Sequence, residues 1–329
     1  FTGDLNVTVG TCILRHSTAT GAIVAGTTVS AGASLQLENN ISVGAEPLTL
    51  RGGAAVELEN VSGTNSWGGA ITLATSAVDI KSSRGTLSLG STISGQNLIF
   101  DCGTGDIMAN GTIGTGGAQT LTKYGSGNLI LNGVCHFTGG ATIEGGTVSF
   151  NGNSIVIGPV VVNNVGTKIA GTGTIPASSA VTMNDGTLLA PGGNNGDDAG
   201  TLTINGNLTF NFESTYIISV LPTGVDKLIC GGNLVAAGNS PNVTISAPNG
   251  LTNFVSPTTI MTITGTYIKF DESAISSGFD MDDTKVGNNI RLIALQPIVP
   301  AFSGWGLFLF ASLIASLSMY KIRLRRRAG

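Results

Sequence analysis

The stretch GNLILNGVCHFTGGATIEGGTVSF, residues 127–150, contains two similar five-residue units, GNLIL at its start and GTVSF at its end. Each unit opens on a glycine, continues with a small polar residue, and places apolar residues at its third and fifth positions. Related units recur along the chain as GTLSL, GDIMA, GTKIA, GTLLA and GNLTF. The opening glycines are evenly spaced, at Gly85, Gly105, Gly127, Gly146, Gly166, Gly186 and Gly206.

This repeat predicts short β-strands that stack on one another. Residues two apart lie on the same face of a strand, and a glycine before the strand permits the positive φ of a tight corner. A period of about 20 residues is too short for a βαβ unit, which needs about 30, but it is typical of one solenoid coil. The inward pairs are then Leu87/Leu89, Leu129/Leu131, Val148/Phe150, Leu188/Ala190 and Leu208/Phe210.

We therefore predict an all-β fold, a parallel β-helix with coils of about 20 residues, over residues 1–250. About 13 coils over residues 1–270 would make a rod about 60 Å long at ~4.8 Å per coil. Lys168 occupies an inward position of the repeat, so we expect a local register shift that turns Ile169 inward and Lys168 to solvent. The period is lost after residue 250, and residues 251–296 are predicted to cap the rod, because open strand edges invite aggregation.

Composition and charge argue against a disordered chain and against a nucleic-acid-binding protein. Only 10% of the residues are charged and 49 are glycine, whereas disordered chains are highly charged and poor in branched apolar residues. Five of the 15 basic residues lie in residues 321–327, so residues 1–320 carry 10 basic and 19 acidic residues, a net charge of −9. An acidic body repels nucleic acid, and we predict no nucleic-acid partner.

The segment LTKYGSGNLILNGVCHFTGGATIEGGTVSFNGN, residues 121–153, resembles the autotransporter-associated β-strand repeat of bacterial surface passengers. That pattern reads L-T-K-x-G-x-G-x-L-x-L-x-G, then a Tyr-Thr-Gly-like turn, then T-x-I-x-x-G-T-L. Cys135 and Phe137 depart from the usual Ala/Asn and Tyr. The matching residues are Leu121, Thr122, Lys123, Gly125, Gly127, Leu129, Leu131, Gly133, Thr138, Gly139, Ile143, Gly146 and Thr147. Similar flanking segments are found at residues 65–74, 188–210 and 225–234.

The resemblance covers roughly residues 20–270. It implies a right-handed β-helix that is exported to the cell surface and acts as a structural or adhesin-like protein. The family shares no catalytic residues, so the resemblance implies no enzyme activity, no cofactor and no metal. Polysaccharide, or the surface of a host or neighbouring cell, is the expected partner.

The C-terminus has a different character from the rest of the chain. Residues 302–320 contain no charge, and a helix of that length spans about 28 Å, close to the hydrocarbon core of a bilayer. Trp305 and Tyr320 would lie at the two interfaces. The basic tail that follows should remain cytoplasmic by the positive-inside rule; it consists of Lys321, Arg323, Arg325, Arg326 and Arg327.

Residues 297–329 resemble the IPTL-type C-terminal sorting signal, a relative of PEP-CTERM, whose pattern is Ile/Val-Pro-Thr-Leu-Ser-x-Trp-Gly. The corresponding residues are Val299, Pro300, Ala301, Phe302, Ser303, Trp305 and Gly306, of which Ala301 and Phe302 replace Thr and Leu. The resemblance implies cleavage by an exosortase-type transpeptidase in a Gram-negative cell. The chain would then pass through the inner membrane during export, and its final location would be the cell surface or extracellular matrix. A permanently anchored envelope protein is the alternative.

A β-helical carbohydrate-active enzyme, a polysaccharide lyase or hydrolase, is the alternative function. Such an enzyme needs carboxylates clustered on one face. The acidic runs visible in the sequence are Asp197-Asp198 and Asp280, Asp282 and Asp283, for which solvated loop charge is the favoured interpretation. Calcium binding by the first run with Asn194 and Asn195 is a further alternative.

Four other residues are candidates for chemistry. Cys135 and His136 are neighbours, but adjacent strand residues point to opposite faces, so a buried thiol beside a surface histidine is favoured over a nucleophile and its base. The sequence does not decide whether Cys102 and Cys135 form a disulfide. Trp67 is a candidate for stacking on a sugar, with packing in a turn as the favoured alternative.

Overall fold

The structure, a computed structural model, describes residues 3–21, 26–53, 56–74, 77–114, 119–154, 157–193, 198–221, 224–237, 242–246, 258–266, 279–286 and 288–294. Within these ranges the chain is all-β and contains no helix. Consecutive coils pair through parallel strands, so the predicted parallel β-solenoid is confirmed.

The described strands form four sheets, named A to D. Sheet A contains β1 (Leu5–Val7), β3 (Thr27–Val29), β6 (Leu48–Leu50), β9 (Ile71–Leu73) and β12 (Ile93–Gly95). Sheet B contains β2 (Thr11–Leu14), β4 (Ser34–Leu37), β7 (Leu58–Asn60), β10 (Val78–Ser82), β13 (Leu98–Asp101), β15 (Thr120–Tyr124), β17 (Gly140–Ile143), β19 (Val160–Val162), β22 (Val181–Met183), β25 (Leu208–Phe210) and β29 (Leu234–Ala236).

The other two sheets complete the coil. Sheet C contains β5 (Ser42–Val43), β8 (Thr64–Trp67), β11 (Thr86–Leu89), β14 (Asp106–Ala109), β16 (Asn128–Leu131), β18 (Thr147–Phe150), β20 (Lys168–Ala170), β23 (Leu188–Leu189), β26 (Thr215–Leu221), β27 (Gly224–Val225) and β30 (Asn242–Ser246). Sheet D contains β21 (Thr174–Ile175), β24 (Thr201–Ile204), β28 (Lys227–Cys230), β31 (Thr258–Ile263), β32 (Phe279–Val286) and β33 (Asn289–Ala294).

The coils are longer and fewer than the sequence repeat predicts. Between neighbouring strands of sheet B the shortest step runs from Ala141 to Val160 and the longest from Val181 to Leu208. Eleven strands in this sheet make about ten coils, which at ~4.8 Å per step extend over about 48 Å. The predicted coil number and rod length are therefore too large, because many coils carry turns longer than the repeat unit.

Inward side chains stack into columns along the axis. In sheet C one column is continuous and fully buried: Leu87, Ile107, Leu129, Val148, Ile169, Leu189 and Tyr216. Ile169 pairs with Val148 and is buried, whereas Lys168 points outward, as predicted. The same shift persists one coil later, so the prediction that Leu188 points inward is wrong and Leu189 takes its place.

Glycines line one corner of the solenoid because successive coils approach closely there. A Cβ at Gly85, Gly127 or Gly146 would overlap the carbonyl oxygen of the glycine one coil earlier. Gly63, which the repeat unit does not identify, begins this column before Gly85, and Gly105 continues it.

The last three predicted corner glycines differ from this column. Gly166 and Gly186 precede strands of the same sheet, and their φ values of +82° and +69° explain the residue type. Gly206 precedes β25 of sheet B, so its assignment to the column is wrong.

Trp67 and the C-terminal strands have defined places in the fold. Trp67 is fully buried in the core and its indole N–H donates to the carbonyl of Glu46, which excludes stacking on a sugar. Strand β31 continues sheet D in parallel, and β33 and β32 then add antiparallel strands. These three strands lie in residues 251–296, for which the sequence predicts a cap.

A buried lysine closes the glycine corner from inside. Lys123 stacks between Phe100 and Ile143 in an otherwise apolar column of sheet B and is fully buried. Its Nζ donates hydrogen bonds to three carbonyl oxygens, those of Gly125 (2.8 Å), Gly127 (2.7 Å) and Gly145 (2.6 Å). An ammonium has three N–H donors, so each one is used. Burial lowers the pKa of this amine, and the nearby Cys102, Asp101 and Asp106 oppose the effect.

We predict that Lys123→Met destabilises the solenoid by about 3 kcal/mol. Methionine fills the column but leaves three corner carbonyls without their donor, and an unsatisfied buried polar group costs about 1–3 kcal/mol. The midpoint of urea unfolding measures the effect. Lys227→Met, at an outward position of β28, is the matched control and should change stability by less than about 0.5 kcal/mol. Equal stability of the two variants would contradict the role assigned to Lys123.

Candidate functional site

Many of the sequence-predicted functional residues lie outside the described residues. These are the sorting motif at residues 299–306, the uncharged segment 302–320, the basic tail at 321–327, and Asn194, Asn195 and Asp197. Within the part of the chain that the structure covers, no helix is long and apolar enough to span a bilayer. The same residues contain no group of three His, Cys, Asp or Glu side chains arranged to hold a metal ion.

The thiols have no functional arrangement. All four cysteines are free, so the Cys102–Cys135 disulfide is absent. Burial raises the pKa of both thiols to about 12, which keeps them protonated and unreactive. Cys135 is buried while His136 is half-exposed, so the two side chains point to opposite faces as predicted.

The outer face of sheet B is a continuous surface that runs along the described solenoid. Two outward positions per strand form two parallel tracks that run along the axis. Track 1 consists of Ser34, Glu57, Asp79, Ile99, Thr122, Thr142, Val161, Thr182, Thr209 and Val235. Track 2 consists of Gln36, Glu59, Lys81, Asp101, Tyr124, Glu144, Asn163, Asn184 and Asn211.

The first third of this face is charged and its side chains bind one another across coils. Glu59 accepts hydrogen bonds from the amide of Gln36 (2.7 Å) and the hydroxyl of Ser83 (2.6 Å). Lys81 forms an ion pair with Asp101 at 2.8 Å. These interactions hold neighbouring coils in register, and they engage the carboxylates that would otherwise face solvent.

Glu57, which is fully buried, and Asp79, which is partly buried, form a carboxyl pair at the edge of this charged zone. The Asp79 N–H donates to Oε2 of Glu57 at 2.9 Å, and Glu57 is fully buried. The other oxygen of each group, Oε1 of Glu57 and Oδ1 of Asp79, is buried without a hydrogen-bond partner. A proton on one of the two groups supplies a donor that ionised carboxylates lack.

The electrostatics of the pair agree with protonation. Burial raises the pKa of Glu57 to about 7, and repulsion from Asp79 adds to the effect. Burial also raises the pKa of Asp79 to about 6, with Asp101 and Glu59 adding to it and Lys81 opposing it. A pair of this kind is suited chemically to donating or accepting a proton near neutral pH.

The second half of track 2 is an amide ladder. The side-chain N–H of Asn163 donates to Oε1 of Glu144 at 2.8 Å, that of Asn184 to Oδ1 of Asn163 at 2.6 Å, and that of Asn211 to Oδ1 of Asn184 at 2.6 Å. Each amide has two N–H groups, and the ladder uses one. The second N–H of each residue is left for another partner along this edge of the face.

Tyr124 lies on track 2 between two carboxylate residues. It is 47% exposed, with Asp101 one coil before it and Glu144 one coil after it. A second amide ladder, from Asn151 through Asn132 and Asn110 to Ser88, runs along the outer edge of sheet C.

Sequence reasoning missed this surface because its members are far apart in the chain. Glu57 and Asp79 are separated by one full coil, as are Lys81 and Asp101, yet each pair lies on adjacent strands. The coil spacing is the signal that predicts their proximity, whereas a search for neighbouring acids selects Asp197-Asp198 instead. Asp198 comes close to Asp226, whose carboxylate binds the backbone N–H groups of Gly200 and Ser219.

Comparisons with known proteins do not assign this surface. No protein-family model matches the chain, and no curated protein matches it.

We predict that the free energy of unfolding falls as pH rises from about 5 to about 8. The folded-state pKa values of Glu57 and Asp79, about 7 and about 6, exceed their ordinary values, so the folded state binds more protons than the unfolded state in this range and loses stability as they dissociate. Glu57→Gln is a neutral isostere and should make the slope shallower. Burial also raises the pKa of Asp226 to about 7, so the Glu57→Gln variant should retain part of the slope.

Urea unfolding at several pH values measures this dependence. Glu38→Gln, which removes the carboxylate that pairs with the exposed Arg15, is the control, and Glu57→Gln should flatten the slope more than this variant does. An unchanged slope in Glu57→Gln would show that the pair titrates independently of folding.

Proposed function

We propose that this chain is an exported bacterial cell-surface or matrix protein with a structural, adhesin-like role. The observation that carries the proposal is the continuous outer face of sheet B, which extends over eleven strands and about 48 Å. Between β19 and β25 the face presents the same kinds of side chain at each coil, which suits attachment to an extended partner. The resemblance of residues 121–153 to the autotransporter-associated repeat supports the same role.

The carboxylates on this face are held by hydrogen bonds or ion pairs, which favours a structural or binding role over catalysis. Glu59, Asp101 and Glu144 are each held by a neighbouring coil at 2.8 Å or less. Their immediate task is therefore to join coils. The proposal includes right-handed winding, because parallel crossover connections are right-handed in about 98% of cases.

The route of export belongs to the proposal and rests on residues 297–329 of the sequence. The order of a Pro-containing motif, the uncharged segment 302–320 and a basic tail supports transit through the inner membrane and cleavage by an exosortase-type enzyme. The uncharged segment is long enough to span a bilayer as a helix, and the tail favours a cytoplasmic C-terminus.

We predict that surface-located protein lacks the basic tail. Mass spectrometry of the C-terminal peptide, on surface material from a native or exosortase-positive host, should find chains that end near Pro300, whereas the inner-membrane form retains Arg327. Pro300→Ala and Trp305→Ala should leave unprocessed chain in the inner membrane, because they remove matched positions of the sorting motif. Ser316→Ala, within the uncharged segment, is the control and should be processed normally. Arg327 still attached to surface-located chains would overturn the sorting route.

A β-helical carbohydrate-active enzyme is the second candidate, and the Glu57–Asp79 pair favours it. Two carboxyl groups on adjacent strands, with pKa values raised to about 7 and about 6, are the groups that acid–base cleavage of a glycosidic bond needs. Glu57 is fully buried, however, and a catalytic acid must reach its substrate. We therefore favour the structural role.

A screen of purified full-length protein against polysaccharides separates the two candidates. We expect no turnover, because the carboxyl groups of the face are buried or engaged. Turnover that disappears in Asp79→Asn but persists in Glu38→Gln would reject the purely structural role. Reducing-end release and unsaturated-product absorbance report hydrolysis and elimination respectively.

A further inference from the structure

The part of the sheet B face between β17 and β29 has a regular and unusual chemistry. Track 1 presents only methyl-bearing residues there, Thr142, Val161, Thr182, Thr209 and Val235, and all are half-exposed or exposed. Track 2 presents the amide ladder beside them. The face therefore pairs a methyl track with an amide track, and both repeat once per coil at ~4.8 Å.

Charge restricts the ligand that fits along this face. From β19 to β29 neither track carries a charged residue, while the remainder carries five carboxyl groups, those of Glu57, Glu59, Asp79, Asp101 and Glu144, against the single ammonium of Lys81. An anionic polymer would be repelled by the carboxyl groups. The charged groups of a cationic polymer would lose hydration where they contact the uncharged part of the face, from β19 to β29, and would find no carboxylate there with which to pair.

The side chains also disfavour a protein or lipid partner. Protein interfaces depend on a few anchors, usually Trp, Tyr or Arg, and from β19 to β29 the tracks contain none of these. A lipid surface requires large exposed apolar side chains, whereas the largest apolar residue on this part of the tracks is valine. Many small equal contacts, repeated along one direction, suit a ligand that is itself a repeating chain.

We propose that this face binds an uncharged polysaccharide that lies along the solenoid axis, across the strands. Sugar C–H groups contact the methyl track, and sugar hydroxyls accept hydrogen bonds from the free N–H groups of Asn163, Asn184 and Asn211. Tyr124, which is 47% exposed and lies one coil before Glu144, provides an aromatic surface on which a ring can stack. The inference rests on the proposed role as a surface rod and specifies its partner.

The length of the ligand is a specific consequence. From Thr122, on the same strand as Tyr124, to Val235 track 1 crosses six strands, which corresponds to about 24 Å. Affinity should therefore increase with oligosaccharide length until the chain covers about this distance, and a monosaccharide should bind weakly. A closed pocket would instead saturate with one or two sugar units.

The experiment uses purified full-length protein and immobilised polysaccharides: dextran, galactan and mannan as neutral probes, and alginate as the anionic probe. We expect binding to at least one neutral polymer and none to alginate. Thr182→Lys places a charge in the middle of the methyl track and should weaken binding about tenfold or more, a change of about 1.4 kcal/mol. Thr49→Lys on sheet A is the matched control, because Thr49, like Thr182, lies in mid-strand between two buried apolar residues. Its binding should remain within about twofold of wild type.

Two further readouts keep the result interpretable. Circular dichroism and the thermal midpoint establish that both variants fold, and Asn184→Asp, which keeps the size of the side chain, should also weaken binding because it removes the amide donor. The inference is overturned if no neutral polymer binds, if alginate binds best, or if Thr49→Lys is as damaging as Thr182→Lys. Protease accessibility on intact cells reports surface display separately, so a displayed rod without glycan binding rejects this inference alone, and a chain that stays inside the cell rejects the proposed function.

Discussion

The structure depends on parallel, in-register stacking of coils at ~4.8 Å. In this arrangement each side chain lies directly over the residue at the same position of the preceding coil. Stacked residues must therefore be able to pack against or hydrogen-bond with one another. The inward column from Leu87 to Tyr216 satisfies this condition through apolar packing. The amide ladder from Glu144 to Asn211 satisfies it on the outside, because an amide both donates and accepts a hydrogen bond.

Departures from this rule are compensated locally. Lys123 stands in an apolar column, yet its three N–H groups reach three carbonyls at the glycine corner. The basis of that corner is geometric: the glycines allow close approach of the coils, and the approach brings the carbonyls together around one ammonium. The Glu57–Asp79 pair is compensated less fully, since one oxygen of each group lacks a partner. Burial, with repulsion between neighbouring carboxylates, keeps these groups protonated to a higher pH than ordinary carboxyls.

The same stacking explains the character of the candidate functional surface. A solenoid face cannot easily form a deep pocket, because its outward residues lie on a nearly flat sheet. It can present long tracks of identical groups, and the methyl and amide tracks of sheet B are of this type. Weak contacts that recur at each coil add up only for a ligand that spans several coils. An extended polymer therefore suits this architecture better than a small molecule.

The amino-acid sequence by itself determined the all-β class, the coiling and the approximate period, because alternation of apolar residues and the spacing of glycines are local signals. It also predicted the shift at Lys168, since burying Ile169 outweighs keeping the glycine register. Only the tertiary structure decided the true coil length, the placement of Gly206 on another sheet, the inward Lys123 and the two tracks. The physical reason is that turns between strands vary in length, so the step from one coil to the next in sheet B is not constant. Which residues become neighbours across coils, and thus which surface forms, follows from the sum of those turns and not from any short segment.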